Sequence, residues 1–248
     1  MKILFAPSES KEYGGKFPPI NKNSFCCPEL YEKRLEVLKK YQDFIDNAPV
    51  EQLKKLFGVK DEKQINRFKV NIFKEKTLKA VERYNGVAYQ YMDYSRLPEK
   101  QKEFIENNLI IFSNLFGAVL GKDLLPFYKL KQGESIGEFK PEKFYKQYFS
   151  EALDNFIGDE LILDLRAGFY EKFYTIKKPF ITMKFLKNGK TVSHWAKAYR
   201  GLIVKYLSEI QPETEKEILN LEFENMKTVD IKKNKNKTEI IYEIIENL

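Results

Sequence analysis

Three short runs of large apolar residues set the first constraint on this chain: 2–6, 109–113 and 161–165. Each is too short for a helix. Each is nearly continuous in apolar character, the pattern of a strand covered on both faces of a sheet. Helical periodicity fills the chain between them, most clearly over 29–47, 98–108 and 141–157. Buried strands separated by helices commonly lie parallel in one sheet, with ligands gathering beyond their carboxyl ends. All three runs lead into polar residues. Phe5 leads to Pro7, Ser8, Glu9, Ser10 and Lys11, Phe112 to Ser113 and Asn114, and Leu163 to Asp164 and Arg166. If the strands are neighbours, Glu9, Lys11, Ser113, Asp164 and Arg166 converge. A plain buried ion pair is the alternative for Asp164 and Arg166.

The other segments complete an α+β pattern. Residues 7–28 read as a long polar loop with Gly14-Gly15 and Pro18-Pro19. Pro49 opens a short helix ending near Gly58, and another covers 61–68. A helix is expected over 75–84, stopped by Asn85-Gly86, and a buried helical stretch over 87–92. Residues 179–192 form a hairpin about Asn188-Gly189. The tail, 219–248, reads as a second hairpin with a basic loop at 232–237. With no repeat and no flexible linker, the expectation is one domain, 1–248, with a mixed central sheet flanked by helices.

Composition excludes several classes. A chain of 248 residues with 43% hydrophobic and 15% aromatic content is not disordered. No apolar run approaches the roughly 20 residues of a membrane span. The first apolar run is too short for a signal peptide, so the expected location is cytoplasmic, with no membrane partner. Cys26 and Cys27 are adjacent, which suits a reduced pair. A single histidine and no spaced cysteines leave no recognisable zinc, haem or iron–sulfur framework, so no metal or cofactor is expected. A carboxylate site for a hard cation stays open. The net charge of +7 favours anionic partners. Many lysines alternate with glutamates, however, as on a solvated helix surface.

The stretch 192–201 holds the only histidine, the only tryptophan and one of six arginines. Ser193 suits an N-cap. In the helix that follows, Trp195, Tyr199, Leu202, Ile203 and Tyr206 fall towards the core. His194, Lys197, Arg200, Gly201 and Lys205 fall on the other side. That side is a cationic face with a glycine open to close approach, suited to an anion. An ordinary amphipathic helix with a solvated basic face fits the same pattern. Glu9, His194 and Lys197 are also residue types that move protons or attack electrophiles. His194 equally suits a capping or packing role. Gly117 and Gly121, four apart, suit a turn that offers backbone N–H groups to phosphate, or a simple turn.

Five blocks in order carry a family resemblance. They are Pro7-Ser8-Glu9-Ser10-Lys11; Tyr84-Asn85-Gly86-Val87-Ala88-Tyr89; and Ser113-Asn114-Leu115-Phe116-Gly117 with Asp123 and Pro126-Phe127-Tyr128-Lys129-Leu130. The last two are Asp164-Leu165-Arg166 with Tyr170, and Ser193-His194 with Lys197, Arg200 and Gly201. Together they resemble the YaaA family of bacterial peroxide-stress proteins over nearly the whole chain. The resemblance implies an intracellular α+β protein of the oxidative stress response, with a cationic cleft and DNA binding. It also implies a helix-hairpin-helix-like element on or near 116–122 and a link to limiting free iron. With no iron-ligand cluster in the sequence, that link would be indirect. Lys129 stands where an arginine is frequent, which removes a two-pronged contact.

Two main functions follow. In one, DNA phosphates are held by Lys11, Lys122, Lys129, Arg166, Lys197, Arg200 and Lys205. In the other, the same cleft acts on a nucleotide-like or other small anionic molecule, or a damaged base, with Glu9, His194 and Lys197 catalytic. A third reading, an interaction protein, uses the basic loop 232–237 to dock an acidic partner. The sequence carries no signal for oligomeric state.

Overall fold

The computed structural model describes residues 1–192 and 194–246; the Ser193 cap and the His194 side chain lie outside the described residues. In chain order the elements are β1 (Lys2–Phe5), α1 (Tyr31–Asn47), α2 (Val50–Phe57), α3 (Ile65–Phe68), β2 (Thr77–Lys79), α4 (Ala80–Arg83), α5 (Val87–Met92) and α6 (Glu99–Asn108). There follow β3 (Leu109–Ser113), β4 (Gly117–Leu120), β5 (Leu124–Pro126), α7 (Pro141–Ile157), β6 (Ile162–Asp164), β7 (Phe180–Lys187) and β8 (Lys190–Thr191). The last are α8 (His194–Ile210), α9 (Glu215–Leu219), β9 (Met226–Asn234) and β10 (Lys237–Ile244).

The main sheet runs β4-β3-β1-β6-β7-β10-β9, with β8 beside β7. The five inner strands are parallel, and β4 and β9 are antiparallel at the two ends. The three apolar runs are therefore neighbours, as expected: Ile3 is paired with Leu109 on one side and Leu163 on the other. Ile3, Leu4 and Phe5 are at most 1% exposed, so both faces of β1 are covered. This is why the run is continuous rather than alternating. The chain leaves β1 for β3 on one flank and later returns to β6 on the other. The order of strands thus reverses at β1, which opens a crevice beyond its carboxyl end. A second small sheet pairs β2 with β5.

The hairpin at Asn188-Gly189 forms as expected, both residues having positive φ. The terminal hairpin is β9–β10, and its edge strand is exposed along all but its first residue. Lysines on such an edge discourage further strand pairing. Among the described residues no helix is long and apolar enough to cross a membrane.

Two local expectations fail, for reasons that lie far away in sequence. Instead of a helix over 75–84, the chain forms β2 and then the single turn α4. Thr77 exchanges backbone hydrogen bonds with Phe17 and pairs with Pro126. Partners brought by the polar loop and by β5 thus override the local helical pattern. The helix-hairpin-helix-like element placed at 116–122 is instead the turn into β4, β4 itself and the turn after it. Gly117 has φ +69 and lies under the Tyr145 ring. Gly121 N–H donates to the Leu109 carbonyl, and Leu120 N–H to Asp123 Oδ2. These amides are spent inside the fold and do not face a phosphate.

The glycine on α8 also has an internal use. A Cβ at Gly201 would stand 1.9 Å from the Ala88 carbonyl oxygen of α5. Gly201 lets α5 cross α8 closely, rather than admitting a ligand. Gly201→Ala should force the two helices apart, at a cost of about 1–3 kcal/mol. Urea unfolding should show a lower midpoint with unchanged slope.

Candidate functional site

Beyond the carboxyl ends of β1 and β6 lies a cleft of about 400 Å³. The turn after β1 contributes Pro7, Ser8 and Glu9; the start of α5 contributes Gly86 and Tyr89; the loop after β5 contributes Gln132. Leu165 and Tyr170 follow β6, and α8 supplies Lys197 and Arg200. Four of the five sequence blocks thus contribute residues to one cavity. A neighbouring hollow on the other side of Tyr89 carries Glu12, Glu82 and Asp93, which makes it the less suited of the two to an anion.

The loop is held by hydrogen bonds that sequence reasoning missed. Arg83 is fully buried and donates to the carbonyls of Glu12, Gly14, Lys76 and Leu125. Asn85 N–H donates to Ser10 O, and Glu12 N–H to Arg83 O. A Cβ at Gly86 would meet Ser8 Oγ at 2.2 Å, so this glycine allows the turn after β1 to close over α5. Gln132 was also missed. Its N–H donates to Glu9 Oε1 at 3.2 Å, and its Oε1 accepts from Tyr170 at 3.4 Å. A polar residue two positions after the Pro126–Leu130 block was the available signal for Gln132. For Arg83 it was an arginine in a lysine-rich chain.

Beneath the cleft three hydroxyls are linked. Ser113 Oγ lies 2.7 Å from Tyr128 Oη, which lies 2.8 Å from Tyr84 Oη. Ser113 Oγ already accepts from Leu115 and Phe116 N–H, so its own hydrogen goes to Tyr128 and that of Tyr128 to Tyr84. Lys11 lies against this cluster. Its Nζ is 4.3 Å from the Tyr128 ring centroid and 5.4 Å from that of Tyr84. It donates to the carbonyls of Ser8 at 3.1 Å and Glu9 at 3.4 Å. Burial, reinforced by the charge of Lys129, lowers its pKa from 10.5 to about 7, against the opposing pull of Glu9. Burial likewise pushes the phenols of Tyr84, Tyr128 and Tyr170 up, so all three stay protonated.

The predicted cations separate into distinct places. Lys197 is exposed on the cleft rim. Arg200 is half-buried in the cleft wall; its Nε is shut from solvent and has no partner among the described residues. Burial lowers its pKa, opposed by the charge of Asp164. Lys129 is held 3.4 Å from Glu9 Oε2. Arg166 is buried and forks onto Asp164 through Nε and Nη2, both at 2.9 Å, while Nη1 caps the carbonyls of Tyr170 and Tyr174. The ion-pair alternative for Asp164 and Arg166 is therefore the one that forms. Lys205 lies 3.4 Å from Asp93 and faces a different hollow. Lys122 follows β4, next to Asn107 at the opposite end of the sheet. Asp123 is a buried turn residue near the same end, its pKa pushed up to about 6 by burial. Ser193 and the His194 side chain lie outside the described residues. Among the described residues no three His, Cys, Asp or Glu side chains gather as a metal site requires.

The fold and cleft define a mixed α/β protein with a small pocket, partly cationic, at the switch point of a parallel sheet. The family described as peroxide stress protein YaaA matches residues 1–230. The chain belongs to that family. It is 49% identical over 246 residues to an uncharacterised protein of Campylobacter jejuni, covering 99% of this chain and 100% of that one. It is 30% identical over 237 residues to a UPF0246 protein of Corynebacterium glutamicum, covering 89% and 91%. A UPF0246 protein of Fusobacterium nucleatum is 27% identical over 232 residues, covering 90% and 92%.

Two outcomes test this geometry. Arg166→Ala leaves Asp164 buried without its partner and should cost about 3–5 kcal/mol in urea unfolding. Lys11 gives a pH signature. Between pH about 7 and 10.5 the unfolded chain holds a proton that the folded chain has released. The Lys11 contribution to stability therefore rises with pH across that window and is lowest below it. Lys11→Met should flatten stability over this range and raise it relative to wild type near pH 6.

Proposed function

We propose that this chain serves peroxide defence by holding a small anionic, nucleotide-like molecule in the cleft beyond β1 and β6. The observation that carries the reading is Arg200: a half-buried guanidinium in the cleft wall whose solvent-shielded Nε has no partner among the described residues. A buried donor left unpaired costs free energy that an anionic ligand recovers through a charge-assisted hydrogen bond. Lys197, on the preceding turn of α8, adds a second positive charge at the rim. The Ser8 hydroxyl, the Tyr170 phenol and the Gln132 side chain supply orienting groups for the rest of the ligand. Glu9, being engaged by Lys129 and Gln132, shapes the pocket.

Duplex DNA is the second reading, favoured by the exposed lysines on the β9–β10 hairpin and the net charge of +7. The seven cations expected to grip phosphates do not form one track. Arg166, Lys129 and Lys205 are paired with carboxylates, and Lys122 is at the far end of the sheet. DNA contact through the hairpin would be weakly sequence-specific and steeply salt-dependent.

Calorimetry with adenosine monophosphate at about 0.15 M salt separates the two. Arg200→Ala should weaken binding about tenfold or more, the loss of a charge-assisted hydrogen bond, and Lys197→Ala by less. Duplex binding should fall steeply with salt in wild type and Arg200→Ala alike. Salt-resistant duplex binding that Arg200→Ala abolishes, with no nucleotide binding, would overturn the small-ligand reading.

A further inference from the structure

We infer that Cys26 and Cys27 form a modification site, oxidised by hydrogen peroxide or a small organic hydroperoxide to a reversible internal disulfide. Neither cysteine lines the cleft beyond β1 and β6, so this site is independent of anion binding there.

The two sulfurs are held by anchors on either side. Phe25, just before them, is buried between the Arg34 guanidinium, 4.3 Å from its ring centroid, and the Phe116 ring. Pro28, directly after them, begins the turn into α1. Between these anchors the two Sγ atoms lie 3.7 Å apart. Cys27 is buried and Cys26 half-buried, so the pair is open to a molecule of nearly water size from the Cys26 side. Arg34 is fully buried on α1, and its Nη groups are spent on the carbonyls of Phe116 and Ala118. Its Nε is shut from solvent and has no partner among the described residues, which leaves one cationic donor for a thiolate or a peroxide oxygen. The Arg34 charge acts on both thiols. The Cys26 S–H donates to Cys27 Sγ, which lowers the Cys27 pKa with help from Arg34 and against burial, Glu29 and Asp123. Cys27 is thus the thiolate of the pair and Cys26 the proton donor. Asp123 is within hydrogen-bonding reach of Cys26, and burial holds its pKa at about 6, so near neutral pH its carboxylate can accept a proton and release it.

The oxidation balances with the peroxide as sole co-reactant. The Cys27 thiolate attacks one peroxide oxygen, the O–O bond breaks, and the sulfur becomes a sulfenic acid as hydroxide leaves. That hydroxide takes the proton that Cys27 gave up on ionising and departs as water. Asp123 accepts the Cys26 proton, and the freed Cys26 sulfur attacks the sulfenic sulfur. The S–S bond forms, the S–O bond breaks, and a second water leaves with the proton that Asp123 held. Two thiols and one hydrogen peroxide thus give one disulfide and two waters; an organic hydroperoxide gives one water and an alcohol. Neighbouring Cα atoms are about 3.8 Å apart, closer than disulfides favour, so the bond is strained and easily reduced. The strain keeps the resting pair reduced and makes the oxidised form reversible by cellular thiols.

Exposure of the full chain to hydrogen peroxide, quenched by alkylation and read by intact mass and peptide mapping, tests the inference. The folded wild type should lose two hydrogens, at Cys26 and Cys27 in one peptide, at least about tenfold faster than free cysteine is oxidised. Dithiothreitol should restore the mass. Cys26→Ser should stop at a Cys27 sulfenic acid that dimedone captures, and Cys27→Ser should slow oxidation of Cys26 about tenfold. Asp123→Asn keeps a side-chain acceptor for the Leu120 N–H and should lengthen the life of the sulfenic acid, raising dimedone capture. Urea unfolding reports that each variant is folded under the assay conditions. Oxidation of the folded wild type no faster than that of free cysteine overturns the site. A disulfide between two chains, or a sulfonic acid with no internal disulfide, overturns it equally.

Discussion

The site depends on one buried guanidinium. Arg83 joins the carbonyls of Glu12 and Gly14 in the loop after β1 to those of Lys76 beside β2 and Leu125 in β5. These groups come from three separate parts of the chain, and each carbonyl needs a donor once water is excluded. A planar guanidinium meets them together, where a lysine would offer a single point of charge. Burial lowers the Arg83 pKa to about 10, which still leaves it charged at neutral pH. Tyr84, the next residue, is thereby set against Tyr128, and the polar loop is folded back so that Ser8 and Glu9 reach the cleft. Arg34 acts likewise on the far side of β4. It donates to the carbonyls of Phe116 and Ala118 and stacks on Phe25 and Phe149.

This use of arginine explains why net charge is a poor guide to the site. Arg34, Arg83 and Arg166 are interior cross-links. Lysine serves the surface, much of it in pairs with glutamate or aspartate and much of it on β9 and β10. What remains in the cleft is small and differentiated. Lys197 is a solvated charge and Arg200 a desolvated one. A cleft with two such groups discriminates by position, whereas a broad basic track attracts polyanions with little regard to shape.

The parallel core was legible because its cause is local. A strand covered on both faces has to be apolar throughout, and the runs ending at Phe5, Phe112 and Leu163 show this in the residues themselves. Helix ends were legible at Pro141 and Gly58 for the same kind of reason. The segment 75–84 was misread because its strand is made by backbone partners at Phe17 and Pro126, which its own side chains do not announce. For three glycines the sequence left open whether they give access to the backbone, and the internal alternative is the one that forms. Gly117, Gly121 and Gly201 are required by Tyr145, the Ile105 carbonyl and the Ala88 carbonyl, all internal neighbours. A glycine reports that something comes close and does not report what.

Sequence alone determined that polar residues gather at the ends of the apolar strands, because polar residues cannot follow directly on a buried strand without reaching its rim. It also singled out Ser8, Glu9, Tyr170, Lys197 and Arg200, which line one cleft. Only the tertiary structure decided their roles. Charge state and availability depend on neighbours distant in the chain: Asp164 occupies Arg166, Glu9 occupies Lys129, and the Tyr84 and Tyr128 rings enclose Lys11. The reactive lysine expected on the cationic helix is an exposed rim charge. Lys11, expected to bind phosphate, is instead packed against two phenol rings with its pKa lowered by burial, because desolvation is a property of packing that residue order does not carry.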